Sequence, residues 1–297
     1  MIKSEVNINH IKQTGVIINK KKGSPRKILG KITLHLTLIF TSILMIIPFL
    51  WMISSSLKST NEMYSFPPTW IPKQILWENY LYMFQSAPWG LYFFNTTKIT
   101  VLVVIGQLIL CSMAAYAFAR LKFPGRNLIF LILLGTMMIP YHVTMIPTFK
   151  IMKELNWLNT HYSLIIPPLF NAFGIFLLRQ FFMTIPNELE EAAKIDGCSY
   201  PRIFLHVILP ISTPALTTLA IFTFMSQWND FLAPLIYIND DNLKTLTLGL
   251  ATFQGTYTTQ WNYLMAGSFI VLLPVLVVYA FAQRYFIEGI VMSGLKE

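Results

Sequence analysis

Six apolar blocks alternate with shorter polar stretches along the chain: Ile32 to Ile53, Phe94 to Phe118, Asn127 to Phe149, Ser163 to Met183, Ile211 to Ile238 and Tyr263 to Gln283. A helix needs about 20 residues to cross about 30 Å of hydrocarbon, so each block predicts one membrane-spanning helix. Alternating ten-residue segments of the barrel type are absent, which leaves helices as the spanning element. The expected fold is an all-α integral membrane protein with six transmembrane helices.

The polar interruptions carry the chemistry. Between Glu188 and Pro210 lies ELEEAAKIDGCSYPRIFLHVILP, set between the fourth and fifth blocks. Pro186 and Asn187 open a helix. Asn187 is a good N-cap, Glu190 sits three residues on as in a capping box, and Glu188, Glu190 and Glu191 place negative charge at the positive helix end. The helix is expected to run to about Ile195. Gly197 supplies a position tolerant of positive φ, and Ser199 with Pro201 restarts a second helix ending near Pro210. Ala192 and Ala193 let another surface approach the backbone closely, with Leu189 and Ile195 giving apolar contact. Three acids beside anionic lipid argue against a helix resting on the membrane, so segment 184–210 is expected to dock a soluble partner.

Within the third block, Pro140 and Pro147 remove backbone donors and are expected to bend or break the helix. His142 between them either faces a pathway or packs as an ordinary histidine. The fifth block holds Gln227, Trp228, Asn229 and Asp230, a cluster costly in lipid unless it meets partners or water. It is the best candidate for lining a pathway, with an interfacial site for Asp230 as the alternative. Segment 54–93 is rich in aromatics and prolines and suits the headgroup level, as an interfacial anchor or a ligand contact. The loop Asn239 to Asn262 mixes amides, hydroxyls and aromatics, which suits neutral hydroxyl-rich ligands and equally an ordinary surface loop.

Composition supports the membrane assignment: 55% of residues are hydrophobic, 12% are charged and the mean hydropathy is +0.56. Charge sets orientation. With the N-terminus inside, sixteen of the 22 Lys and Arg residues fall in cytoplasmic segments, so both termini are expected in the cytoplasm. The net charge of +9 is then a topology signal with secondary attraction to membrane lipids, and no nucleic-acid partner is expected. Residues 1–31, with Lys20 to Lys22, form a basic cytoplasmic tail without a clear cleavage site, and 284–297 a cytoplasmic C-terminus. Cys111 and Cys198 have no metal-ligand spacing.

No G-x-x-x-x-G-K-[ST] loop occurs, nor H-E-x-x-H, C-x-x-C or G-x-S-x-G. The chain is therefore expected to be non-catalytic, to bind no metal and no cofactor, and to draw its energy from a partner. An autonomous channel or secondary transporter is the alternative, although the spans offer almost no ionisable group besides Asp230.

Glu191, Ala192, Ala193, then three residues, Gly197, nine residues, Val207, one residue, and Leu209-Pro210 resemble the EAA loop of bacterial ATP-binding-cassette importer permeases, with Val for the usual Ile. Asp196-Gly197, WNDFLAPL from Trp228, GLATFQGTYTTQWNYLMA and QRYFIEGIVMSGLK from Gln283 are similar to the carbohydrate branch, in the style of the maltose transporter's smaller membrane subunit. The resemblance covers the chain from Ile32 onward. It implies a multi-pass protein of the bacterial cytoplasmic membrane that imports di- or oligosaccharides. It implies as partners a second related permease, two ATPase subunits holding ATP and Mg, and an extracellular sugar-binding protein. On this resemblance Glu190, Glu191, Ala192, Ala193, Asp196 and Gly197 form a cytoplasmic EAA coupling helix between helices 4 and 5. Gln254, Thr256, Tyr257 and Thr258 would reach toward the binding protein.

Overall fold

The computed structural model describes residues 25–255 and 258–294, so most of the expected basic tail, together with Thr256 and Tyr257, lies outside the described residues. The described residues are helical. They contain no β-strand, only an isolated antiparallel bridge between Gln254 and Thr259. In chain order the helices are α1 Pro25–Ser56, α2 Thr60–Met63, α3 Glu78–Ser86, α4 Trp89–Arg120, α5 Arg126–Thr136, α6 Tyr141–Glu154, α7 Tyr162–Ile165 and α8 Ala172–Thr184. They continue as α9 Asn187–Ile195, α10 Tyr200–Ile203, α11 Leu209–Ile211, α12 Thr213–Trp228, α13 Leu232–Tyr237, α14 Leu246–Leu250 and α15 Trp261–Gly294.

Four helical segments are long and apolar enough to cross a membrane: Leu29–Ser56, Trp89–Arg120, Tyr162–Thr184 and Trp261–Phe281. Two bent pairs raise the number to six if each pair is one span. The α5–α6 pair bends by 99°. Pro140 occupies the N-cap position of α6, where it lacks the N–H a continuing helix would need. Pro147, expected to act the same way, lies inside α6. The second pair, Tyr200–Ile211 and Thr213–Trp228, bends by 78°.

The chain divides into two units, residues 1–51 and 52–297. The described part of the first is a single helix, begun at Pro25 ahead of the expected Ile32, with exposed apolar side chains from Leu29 to Leu50.

In the second unit, α4 is the central helix, packing on α8 and α12. Toward its Arg120 end, Cys111, Ala115 and Tyr116 join Ile175, Leu178 and Phe182 of α8, Leu219 of α12, and Ile203, Phe204 and Ile208 in one buried cluster. Gly174 permits this approach, because a Cβ there would stand 2.9 Å from Leu219 Cδ1 and 3.2 Å from Cys111 Sγ. Small residues at helix contacts are the usual means of close packing in membranes. Toward the Trp89 end, Met83, Trp89, Tyr92, Trp228, Phe253 and Leu264 form a second cluster. Here Asn79 donates to the carbonyls of Ser56 and Lys58 and accepts from Asn262, tying segment 54–93 to the start of α15. Lys58 is buried, with its Nζ donating to the Thr69 carbonyl. Burial pushes its ammonium pKa below the ordinary value, and Glu62 pulls in the opposite direction.

The candidate span Tyr162–Thr184 is not one helix. Pro167 and Pro168 interrupt it in a 3-10 turn, Pro167–Leu169, and α8 restarts behind Asn171, whose side chain accepts from the Gly174 N–H at 3.0 Å. Gln107, buried midway along α4, donates to the Pro168 carbonyl at 2.7 Å and accepts from Thr223 Oγ1 of α12 at 2.7 Å. Backbone freed within a membrane needs such a partner.

Candidate functional site

The segment between α8 and α12 forms the helix, glycine turn and second helix expected of it, but the first turn is built differently. α9 begins at Asn187, Pro186 holds the cap position, and no side chain caps the turn. The capping box expected from Asn187 and Glu190 is therefore corrected: both side chains are held by Arg120, the last residue of α4. Arg120 Nε lies 3.0 Å from Glu190 Oε1, and both side chains are only 7% exposed. Arg120 Nη1 donates to Asn187 Oδ1, while Nη2 donates to the carbonyls of Phe182, at 2.7 Å, and Ile185. A guanidinium offers five donors in a rigid fork, and this one joins the ends of α4 and α8 to the first turn of α9.

With Glu190 turned under the helix, Glu191, Ala192, Asp196 and Gly197 remain exposed, whereas Ala193 is half-buried against the α4–α8 cluster. Ile195 is 87% exposed and Leu189 43%, two large apolar side chains on a helix that also carries three glutamates. The helix ends by geometry rather than by chance. Gly197 sits at φ 77°, its N–H donates to the Lys194 carbonyl at 3.0 Å, and the Cys198 N–H reaches the Ala193 carbonyl at 2.9 Å. This is the paired-bond C-terminal motif that favours glycine. Lys194 Nζ covers the Tyr200 ring at 5.0 Å, bracing the turn.

Beyond the turn the second helix is not uniform. Between α10 and α11, Phe204–Ile208 forms a π-helical turn in which the Leu209 N–H reaches the Phe204 carbonyl. Pro210 follows and has no N–H to donate, and a wider turn is one way a helix adjusts to a missing donor. Phe204 packs on Tyr116 of α4 with ring centroids 5.2 Å apart. At Ser212 the chain bends into α12, the Ser212 hydroxyl donating to the Ile208 carbonyl at 2.7 Å.

The residues expected along a pathway are not brought together by one role. Trp228 is buried at 2% exposure and its indole N–H donates to the Val271 carbonyl of α15 at 3.1 Å, so within this chain it packs two helices. Asp230 Oδ1 accepts from the Ala233 N–H at 3.3 Å and its carbonyl accepts from Thr247 at 2.5 Å, which starts α13 and anchors the following loop. Asn229 and His142 are exposed and Gln227 is half-buried.

The loop from Asn239 is ordered by α4. Asn95 donates to the carbonyls of Asn242 and Lys244, Thr96 Oγ1 accepts from the Leu246 N–H, and Leu246, Leu248 and Phe253 are buried. Gln254 and Thr258 lie exposed at its tip, where the Gly255 N–H donates to the Thr258 carbonyl at 3.0 Å. Among the described residues, no three His, Cys, Asp or Glu side chains group to hold a metal ion.

Two residues that organise the site went unnoticed in the sequence. Arg120 was visible only as a topology charge. Gln107 had a legible signal, a lone amide in an apolar run, where a buried polar group demands partners.

Residues 107–290 match the model of the family described as binding-protein-dependent transport system inner membrane component. The chain belongs to this family. Its members are permease subunits of ATP-binding-cassette transporters, so this protein is a permease subunit of an importer and a multi-pass component of the bacterial cytoplasmic membrane. The arabinooligosaccharides transport system permease protein AraQ of Halalkalibacterium halodurans is 35% identical over 262 residues, covering 86% of this chain and 93% of that one. The sn-glycerol-3-phosphate transport system permease protein UgpE of Yersinia enterocolitica is 34% identical over 268 residues, covering 87% and 95%. Among solved structures, a chain of a bacterial ABC transporter involved in import of the acidic polysaccharide alginate superposes with a TM-score of 0.77 at 25% identity, covering 88% of this permease and 97% of that chain.

Proposed function

We propose that this permease carries di- or oligosaccharides across the membrane by alternating access, driven through α9 by a separate ATPase subunit. The observation that carries this reading is the exposed face of Glu191, Ala192, Ile195 and Asp196 on a helix whose other side is fixed to α4 and α8 by Arg120. A helix that is to transmit force needs one face free for the partner and one face held by the body it moves. α9 has both.

The six spans are counted with each bent pair as one, both termini lie in the cytoplasm, and α9 is the cytoplasmic EAA coupling helix between the fourth and fifth. Segment 54–93 and the loop tip with Gln254, Thr256, Tyr257 and Thr258 then face outward toward a sugar-binding protein. A second related permease completes the membrane portion, and two ATPase subunits hold ATP and Mg. This chain binds no cofactor and performs no chemistry. His142, Gln227, Asn229 and Asp230 are the groups proposed to border the route, with Trp228 packed behind them. The sugar class rests on the name of the arabinooligosaccharide relative and on the structural neighbour's part in import of a polysaccharide.

Glu191→Lys tests the docking face directly, since it reverses a charge that makes no ion pair within the described chain. The expected outcome is normal membrane insertion with the ATPase subunits lost from the purified complex. Stoichiometric co-purification with full ATP-dependent uptake would discard the proposal.

A further inference from the structure

We infer that the coupling helix drives the second and fourth spans through Arg120, and that Arg120 is the positioning residue that makes α9, the end of α4 and the end of α8 one moving body. The inference rests on the docking of α9 proposed above and adds to it the route by which force leaves the helix.

Along the covalent chain, two routes lead from α9 into the membrane. The forward route passes Gly197 and the π-helical turn, then meets a 78° bend at Ser212 before α12 begins. The glycine turn and the π turn keep their hydrogen bonds and the π turn packs in the buried cluster, so the forward route is interrupted chiefly at the 78° bend, where the helix axis changes direction. The backward route passes through residues 185 and 186 to α8 and is short. Across space, α9 gains a third route that no sequence neighbour supplies: the guanidinium at the end of α4.

Arg120 makes four contacts of two kinds. Its bonds reach the Phe182 carbonyl, which also accepts from the Ile185 N–H at 3.2 Å, and the Ile185 carbonyl just past the end of α8. Its contacts with Glu190 and Asn187 hold the first turn of α9. Both charged side chains are nearly removed from water, so their attraction is little screened and the loss of one leaves the other without its counter-charge. The second helix reinforces the same body, since Ile203, Phe204 and Ile208 pack with Tyr116, Leu178 and Phe182 rather than with α12 alone. Packed elements of this kind move by rigid-body displacement, and deformation collects where the helix axis breaks, here at the 78° bend at Ser212.

The assembled complex, with its ATPase subunits, tests this. Nitroxide labels are placed at Lys122→Cys, just past α4, and Lys194→Cys on α9, in a chain whose two native cysteines are serine. Distances are read by pulsed electron resonance without nucleotide and after trapping with ATP and vanadate. The expected result is one narrow distance that does not change on trapping, and a broadened, shifted distribution once Glu190→Gln is added, with the ATPase still co-purifying. Transport per ATP hydrolysed should fall by roughly tenfold in the same variant, the scale typical of coupling between sites. A distance that changes on trapping in the parent chain, or one indifferent to Glu190→Gln, overturns the inference. So does loss of the ATPase from the Glu190→Gln complex, because Glu190 would then act at the docking face. Failure of the parent chain itself to retain an ATPase would instead remove the docking reading beneath it.

Discussion

At Glu190 and Glu191 the chain sets two carboxylates side by side, one turned under Arg120 and the other left at the surface. Successive residues on a helix are about 100° apart, so one turn can both anchor and present. Gln107 shows the same economy at membrane depth. Its amide donates to the Pro168 carbonyl within Tyr162–Thr184 and accepts from Thr223, using one side chain to join three segments. Gln107→Leu keeps the volume roughly but leaves the Pro168 carbonyl and the Thr223 hydroxyl unpaired. The expected loss is about 1 kcal/mol or somewhat more per lost partner in a membrane interior. It would appear as a lower thermal midpoint of the detergent-solubilised complex, and an unchanged midpoint would show that the two groups find other partners.

Among elements, the turn at Gly197 is set by backbone geometry. A φ of 77° costs an L-residue about 1 kcal/mol or more, and proline at this position would also remove the N–H that binds the Lys194 carbonyl. Gly197→Pro is therefore expected to unwind the end of α9 and to abolish ATP-dependent uptake while membrane insertion persists. Uptake at the level of the parent protein would contradict the proposed role of α9. The helix–glycine–helix order was legible in the sequence because cap and turn preferences are local. The partner of Glu190 was not, since Arg120 lies 70 positions upstream in the chain, and local patterns carry no record of which distant side chain will arrive. The break within Tyr162–Thr184 was half legible. Pro167 and Pro168 announce a break, while the amide that satisfies it sits in another helix.

At the scale of the whole molecule, the described helical body begins at Pro25, and the family match runs from residue 107 to 290. The basic tail precedes both the family match and the part of the sequence, from Ile32 onward, that resembles carbohydrate permeases. Deleting residues 1–24 is accordingly expected to leave assembly and uptake unchanged, as measured by co-purification and transport in vesicles, and loss of assembly would assign the tail a part in the complex. The loop from Asn239, after α13, carries the opposite lesson. Its composition suited a surface loop, yet Leu246, Leu248 and Phe253 are buried and Asn95 and Thr96 hold its backbone. Gln254 and Thr258 remain exposed.

The sequence by itself determined the helical membrane class, the approximate spans and the helix–glycine–helix segment, because length, hydropathy and capping preferences act over a few turns of chain. Only the tertiary structure decided which carboxylate is anchored and which is presented, which side chain satisfies the freed Pro168 carbonyl, and that Trp228 and Asp230 serve packing and capping within this chain. Those outcomes depend on contacts between segments far apart in sequence. They are fixed only when α4 brings its glutamine and its terminal arginine against helices that the local pattern leaves unassigned.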